Sequence, residues 1–217
     1  MRVKIEIPER IEDIKLGKYQ DFIEVTKNDK ETLVIQSKLL QTFCGIQTDG
    51  VKVEDIDSIA TDILKLFKDS YELKRTFKLK GIEFGFIPNL EEMTLGEYID
   101  LDNYMLELED LHKAMAVLFR PIVKRRKAWF NKKEEQYKID SYTGTEKYGD
   151  LMKEMPVDVA LGAQFFFINL RKELLRNTMN FLEEDQKVMS LIAKHNLDQN
   201  GDGITVSMPL LREMLDL

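Results

Sequence analysis

Three groups of side chains in this 217-residue chain have types and spacings that could support chemistry. Asp198, Asn200 and Asp202, followed by Gly203, match the first half of a calcium-binding loop, where oxygens at alternate positions and a glycine at the bend surround the ion. The second half departs from that pattern. Ile204 arrives one residue early and Pro209 stands where a bidentate glutamate belongs, so the spacing favours a solvated turn over a metal site. His112 and His195 are 83 residues apart, and neither has a second histidine or a cysteine at helical spacing. The third group is Lys124-Arg125-Arg126-Lys127-Ala128-Trp129-Phe130-Asn131-Lys132-Lys133, six cations with two aromatic rings between them and no acid. Cations that track a backbone and rings that stack on bases are what single-stranded nucleic acid binding requires. An acidic protein surface and a solvated loop satisfy the same residues, and all three readings stay open.

No nucleophile elbow, phosphate-binding loop, paired-histidine zinc motif or dinucleotide fingerprint occurs, so no catalytic residue and no cofactor is predicted. Cys44, the single cysteine, excludes an internal disulfide and reads as a buried thiol beside Phe43 and Ile46.

Composition narrows the class further. At 43% hydrophobic and 33% charged residues the chain reads as soluble and globular. Its longest apolar run, Val157 to Leu170, contains Asp158, Gln164 and Asn169 and is too short and polar to span a bilayer. The start, Met1-Arg2-Val3-Lys4-Ile5-Glu6, has no apolar core of a secretory signal, which predicts cytosolic synthesis. The net charge is -7, and outside the basic segment 26 bases face 39 acids, a net of -13. Non-specific binding of nucleic acid over the whole surface is therefore disfavoured.

The elements that must position these residues are mostly helices. Apolar residues recur at helical spacing from Leu16 through Phe22, from Val34 through Phe43 and, most regularly, from Ile56 through Phe67. Leu73, Phe77 and Leu79, then Ile82, Phe84 and Phe86, alternate on either side of Lys80-Gly81 and predict a β-hairpin. Thr94-Leu95-Gly96-Glu97 predicts a helix start with a capping box, and apolar spacing carries that helix unbroken to Phe119, where Pro121 closes it. A helix over Thr145–Met155 follows, and then one with Pro156 in its first turn. In the latter, Phe165, Phe166 and Phe167 cover more than half the circumference and face a core or a partner. The fold class is thus mainly α with a small antiparallel β element, a helical bundle plus β-hairpin. It forms one domain over 1–217, or two sub-units: an N-terminal strand plus helices (1–70) and a β-hairpin plus helical region (71–217).

One frame occurs twice. Ile7-Pro8 leads to Leu16-Gly17-Lys18-Tyr19, and Ile87-Pro88 leads to Leu95-Gly96-Glu97-Tyr98. If the copies are related by pseudo-symmetry, Tyr19 and Tyr98 must be equally buried.

The Thr-Leu-Gly-Glu-Tyr-Ile-Asp-Leu helix start at Thr94, Ala114-Met115-Ala116-Val117-Leu118-Phe119-Arg120-Pro121, Tyr137 with Tyr142, and Met155-Pro156-Val157-Asp158-Val159 form a combination over residues 77 to 204. It resembles small proteins of tailed bacteriophages, some of them tail assembly chaperones and others virion structural proteins. The resemblance implies a non-enzymatic protein that binds other phage proteins, in the host cytoplasm during assembly or in the virion, without a membrane. A chaperone would hold tape-measure segments in an apolar groove, whereas a ring or neck subunit would form a homo-oligomer. The partner-binding candidates are Lys124, Arg125, Arg126, Lys127, Trp129, Phe130, Phe165, Phe166 and Phe167. The alternative is nucleic-acid binding through 124–133, with steep salt dependence.

Overall fold

A computed structural model of the chain describes residues 7–67, 70–126 and 136–195. Its elements run α1 (Leu16–Thr26), α2 (Thr32–Cys44), α3 (Val53–Leu64), β1 (Thr76–Leu79), β2 (Ile82–Phe86), α4 (Leu95–Tyr104), α5 (Leu111–Leu118), β3 (Phe119–Arg126), β4 (Gln136–Ile139), α6 (Gly149–Met152) and α7 (Val157–His195). Among the described residues the fold is mainly helical with one antiparallel sheet, in the order β1-β2-β3-β4. The chain divides into two compact units, Met1–Phe165 and Phe166–Leu217. In the second, the described part is helical, and the rings of Phe166 and Phe167 meet edge to face at 5.3 Å.

In the first unit, α1, α2 and α3 bury Leu16, Leu39, Leu40, Ile56, Ala60 and Ile63. Phe43 bridges Phe22 and Phe67 at their edge, with ring centroids 5.3 and 6.3 Å away. The predicted hairpin forms with Lys80 and Gly81 both at positive φ, 47° and 82°. That pair of angles is the two-residue turn whose twist matches its strands.

The sheet extends beyond that hairpin, and this corrects the single helix expected from Leu95 to Phe119. Helix α4 ends at Tyr104, a 3-10 turn occupies Leu108–Asp110, and α5 begins at Leu111. Periodicity alone cannot see the break, because the donors that stabilise it come from α1. The buried Gln20 amide donates to the carbonyls of Leu108 and Glu109 at 2.7 and 2.8 Å.

Pro121 does end the helix, since the residue before a proline is driven to extended geometry. The chain then continues directly as β3, with Pro121 inside the strand. Ile87 donates to Leu118 at 2.9 Å, which makes Phe84 opposite Pro121 a non-hydrogen-bonded pair. On its other side Pro121 only accepts, from Asp140 N–H at 2.8 Å, just past the end of β4. A residue without an N–H thus occupies a place where the ladder needs none.

The helix expected over Thr145–Met155 shortens to α6, with Met152 and Met155 buried as predicted. Pro156 lies just before α7 rather than in its first turn. It pairs with Lys15 in an isolated antiparallel bridge. Around it, the first N–H groups of α1 donate to Met155 and Lys153 carbonyls at 2.9 and 2.8 Å, so backbone caps a helix that has no capping side chain.

Pseudo-symmetry between the two Ile-Pro frames is overturned. The local conformations do repeat: a three-residue 3-10 turn, Ile11–Asp13 or Leu90–Glu92, precedes a helix beginning at Leu16 or Leu95. The packing does not. Leu16 is fully buried and Tyr19 stacks half-buried on Phe67 at 5.7 Å, whereas Leu95 and Tyr98 are exposed.

Segment 71–75 lies along the first turns of α7. Lys74 pairs with the Asp158 carboxylate, the backbone of Glu72 presses on Gly162, and the Tyr71 ring meets Phe165 at 6.1 Å. Positions 158, 162 and 165 share one helix face. Alanine at an interior helical glycine normally gains about 1 kcal/mol. At Gly162 a Cβ would collide with the Glu72 carbonyl, so Gly162→Ala is expected to lower the melting temperature instead. An unchanged or raised melting temperature would show that this segment does not hold α7.

Candidate functional site

Of the partner-binding candidates singled out by sequence, the described ones lie on β3 and α7. Lys124 and Arg125 are exposed near the end of β3, and Arg126 closes that strand. Arg125 is engaged by Glu83 on the neighbouring strand, Nη2 to Oε1 at 2.5 Å and Nε to Oε2 at 3.2 Å. Lys127, Trp129 and Phe130 lie outside the described residues, as do Asp198, Asn200 and Asp202. Phe165, Phe166 and Phe167 are half-buried. Cys44 is buried, and burial raises its thiol pKa. Among the described residues no group of three His, Cys, Asp or Glu side chains could hold a metal, and no helix is long and apolar enough to cross a membrane.

What the structure assembles is a cleft of about 570 Å³ above the start of β3, between the segment after β2 and the segment after β4. Arg120 forms its floor and is only 7% exposed, and Glu97 from α4, 4% exposed, stands 2.7 Å from its Nη2. Burying two charges is tolerable only when each is compensated. Glu97 has further partners: Oε2 accepts from Thr94 N–H at 2.6 Å and from Thr94 Oγ1 at 2.8 Å, while Glu97 N–H donates to Thr94 Oγ1 at 3.3 Å. The predicted capping box is present, and its glutamate also neutralises an arginine from a strand that begins 22 residues further on.

The Arg120 guanidinium lies 5.8 Å from the centroid of the Tyr142 ring, within cation–π range. The Tyr142 hydroxyl donates to Asp100 Oδ2 at 2.5 Å, and Tyr137 donates across the sheet to the carbonyls of Phe86 and Arg75 at 2.9 and 3.2 Å. Burial, followed by that hydrogen bond, raises the Tyr142 pKa far above its usual range, so the phenol stays protonated and supplies no base at neutral pH. Asp140 at the rim is held ionised by Lys147 at 3.0 Å and by the Ser141 N–H, which lower its pKa. These groups brace α4 against β3 and the segment after β4. Sequence reasoning found the cap but not the ion pair, because nothing local to Glu97 signals Arg120, and it named Tyr137 and Tyr142 only within a resemblance.

His112 is buried, with its Nδ1 3.1 Å from the same Gln20 amide nitrogen that serves Leu108 and Glu109. An amide nitrogen is a donor only and offers nothing to the N–H of a charged imidazole, and burial, followed by Lys153 and Lys113, lowers the His112 pKa. The unfolded chain therefore binds this proton first. The stability that neutral His112 contributes is complete above about pH 6.5, the unfolded value, and is lost as pH falls from there through the lower folded value. In urea titrations from about pH 7 to pH 5, His112→Gln is expected to lose stability less steeply than the native chain. Equal slopes would show that the imidazole is not held neutral.

No protein-family model, no curated protein and no solved structure matches this chain.

Proposed function

We propose that this chain is a non-enzymatic, protein-binding component of tailed-bacteriophage virion assembly. The observation that carries the reading is on α4. This helix packs Glu97 and Leu101 inward, yet presents Leu95, Tyr98 and Ile99 to solvent at 74, 60 and 48% exposure. Three large apolar side chains clustered at i, i+3 and i+4 on one surface helix are the composition of a contact face. The motifs around Thr94, Ala114 and Met155 supply the phage setting by resemblance.

Two versions of this role differ in where the protein ends up. A virion component, in the tail, neck or a ring, remains in purified particles at fixed stoichiometry. A tail assembly chaperone is found with its client in infected cells and is missing from particles. Quantitative mass analysis of both fractions separates them. Absence from particles, together with no protein complex in infected cells, overturns the reading.

A further inference from the structure

Two exposed surfaces of the first unit each carry an uncompensated feature, and the features are complementary. On α4, Leu95, Tyr98 and Ile99 share their outward face with the exposed acid Asp102, and Glu91 and Glu92 are exposed just before the helix. On the sheet, the β3–β4 register places Lys124 opposite Lys138, both exposed. Like charges directly opposite across an antiparallel pair destabilise it. Neither lysine has an ion-pair partner among the described residues, although Arg125 between them in sequence is engaged by Glu83. The register shifts between Ile122 and Lys124, and Val123, at the shift, is 58% exposed beside this pair.

We propose that the α4 face of one copy of this chain docks on the β3–β4 ribbon of a second copy. Asp102 and the acids before α4 meet Lys124 and Lys138, relieving their mutual repulsion, while Leu95 and Ile99 cover Val123. A second copy is the occupant that the charge distribution favours. The chain carries -7 overall and -13 outside the six cations of 124–133, so each copy brings both signs. None of the described ion pairs joins an α4 acid to Lys124 or Lys138 within one copy. The two surfaces differ, so the contact is head-to-tail and leaves one face of each kind free at the ends. Such contacts build rings when the rotation closes and filaments when it does not. The inference rests on the protein-binding reading and names its partner as another copy.

Sedimentation velocity of the full chain over a concentration series tests it, with two variants at exposed positions. Leu95→Glu/Ile99→Glu removes the helix face. Lys124→Glu/Lys138→Glu removes the ribbon face while keeping a like-charge pair, so the strand pairing bears a similar load. Native chain is expected to associate beyond a dimer, more weakly at high salt, because exposed charge pairs are screened within about 8 Å at physiological ionic strength. Each variant alone is expected to associate about tenfold more weakly or not at all. An equimolar mixture is expected to form a one-to-one dimer and stop there, since each partner retains one intact face. A native chain that stays monomeric at concentrations on the order of 1 mM overturns the contact, as does a mixture that stays monomeric. A monomeric native chain that still co-purifies stoichiometrically with particles sinks this contact alone and leaves the protein-binding role standing.

Discussion

Arg120→Met is expected to destabilise the fold by about 3–5 kcal/mol, the cost of leaving a buried charge without its partner. The charge left behind is Glu97, 4% exposed, whose second oxygen is committed to the cap at Thr94. It can neither turn to water without giving up the helix start nor stay ionised cheaply where it is. Glu97→Gln/Arg120→Met is expected to recover most of the loss, because glutamine serves a capping box as glutamate does and carries no charge. Urea unfolding of the two variants and the native chain at neutral pH gives the comparison. A single variant within about 1 kcal/mol of native, the worth of a surface pair, would mean that solvent reaches the Glu97–Arg120 pair.

Phe119→Ala is expected to cost a similar amount, about 3–5 kcal/mol, as the combined loss of apolar burial and the cavity left behind. Phe119 has no exposed surface, and its ring meets Phe77 and Phe86 edge to face at 5.2 and 5.4 Å. Phe77 in turn stacks on Phe84 at 5.5 Å, and Phe84 meets Tyr148 at 5.7 Å. Removing Phe119 opens the centre of this cluster at the residue where α5 becomes β3. The denaturant midpoint is expected to fall with little change in slope, whereas Phe119→Leu, which keeps much of the volume, costs less. A midpoint unchanged by the alanine variant would show that the cluster collapses around the vacated space.

Much of the local structure was legible in the chain. Alternation around Lys80-Gly81 predicted the hairpin and its turn, three- and four-residue spacing predicted α2 and α3, and Thr94 with Glu97 predicted a cap that forms. Each of these depends on residues within a few positions of one another. The break between α4 and α5 was illegible for the opposite reason. Apolar spacing is continuous through Met105, Leu108 and Leu111, and the turn exists because Gln20, 88 residues away in sequence, supplies its hydrogen bonds. The cleft was half legible. Its cap stood out, but the roles of Tyr137 and Tyr142 and the pairing of Glu97 with Arg120 depend on where β3 passes.

The repeated frame separates the two kinds of information most clearly. Leu-Gly-x-Tyr after Ile-Pro set the same local path twice, a short 3-10 turn and then a helix, because backbone sterics and hydrogen bonds within one turn decide it. Which face of each helix would be buried lay outside the motif. Helix α1 has its first N–H groups taken by the Met155 and Lys153 carbonyls and is drawn in with Leu16 at the core. Helix α4 caps itself through Thr94 and Glu97, and Arg120 holds the opposite side inward, which turns Leu95, Tyr98 and Ile99 to solvent. Local sequence determined the conformation; the distant partners of each helix determined that one copy became core and the other an exposed face.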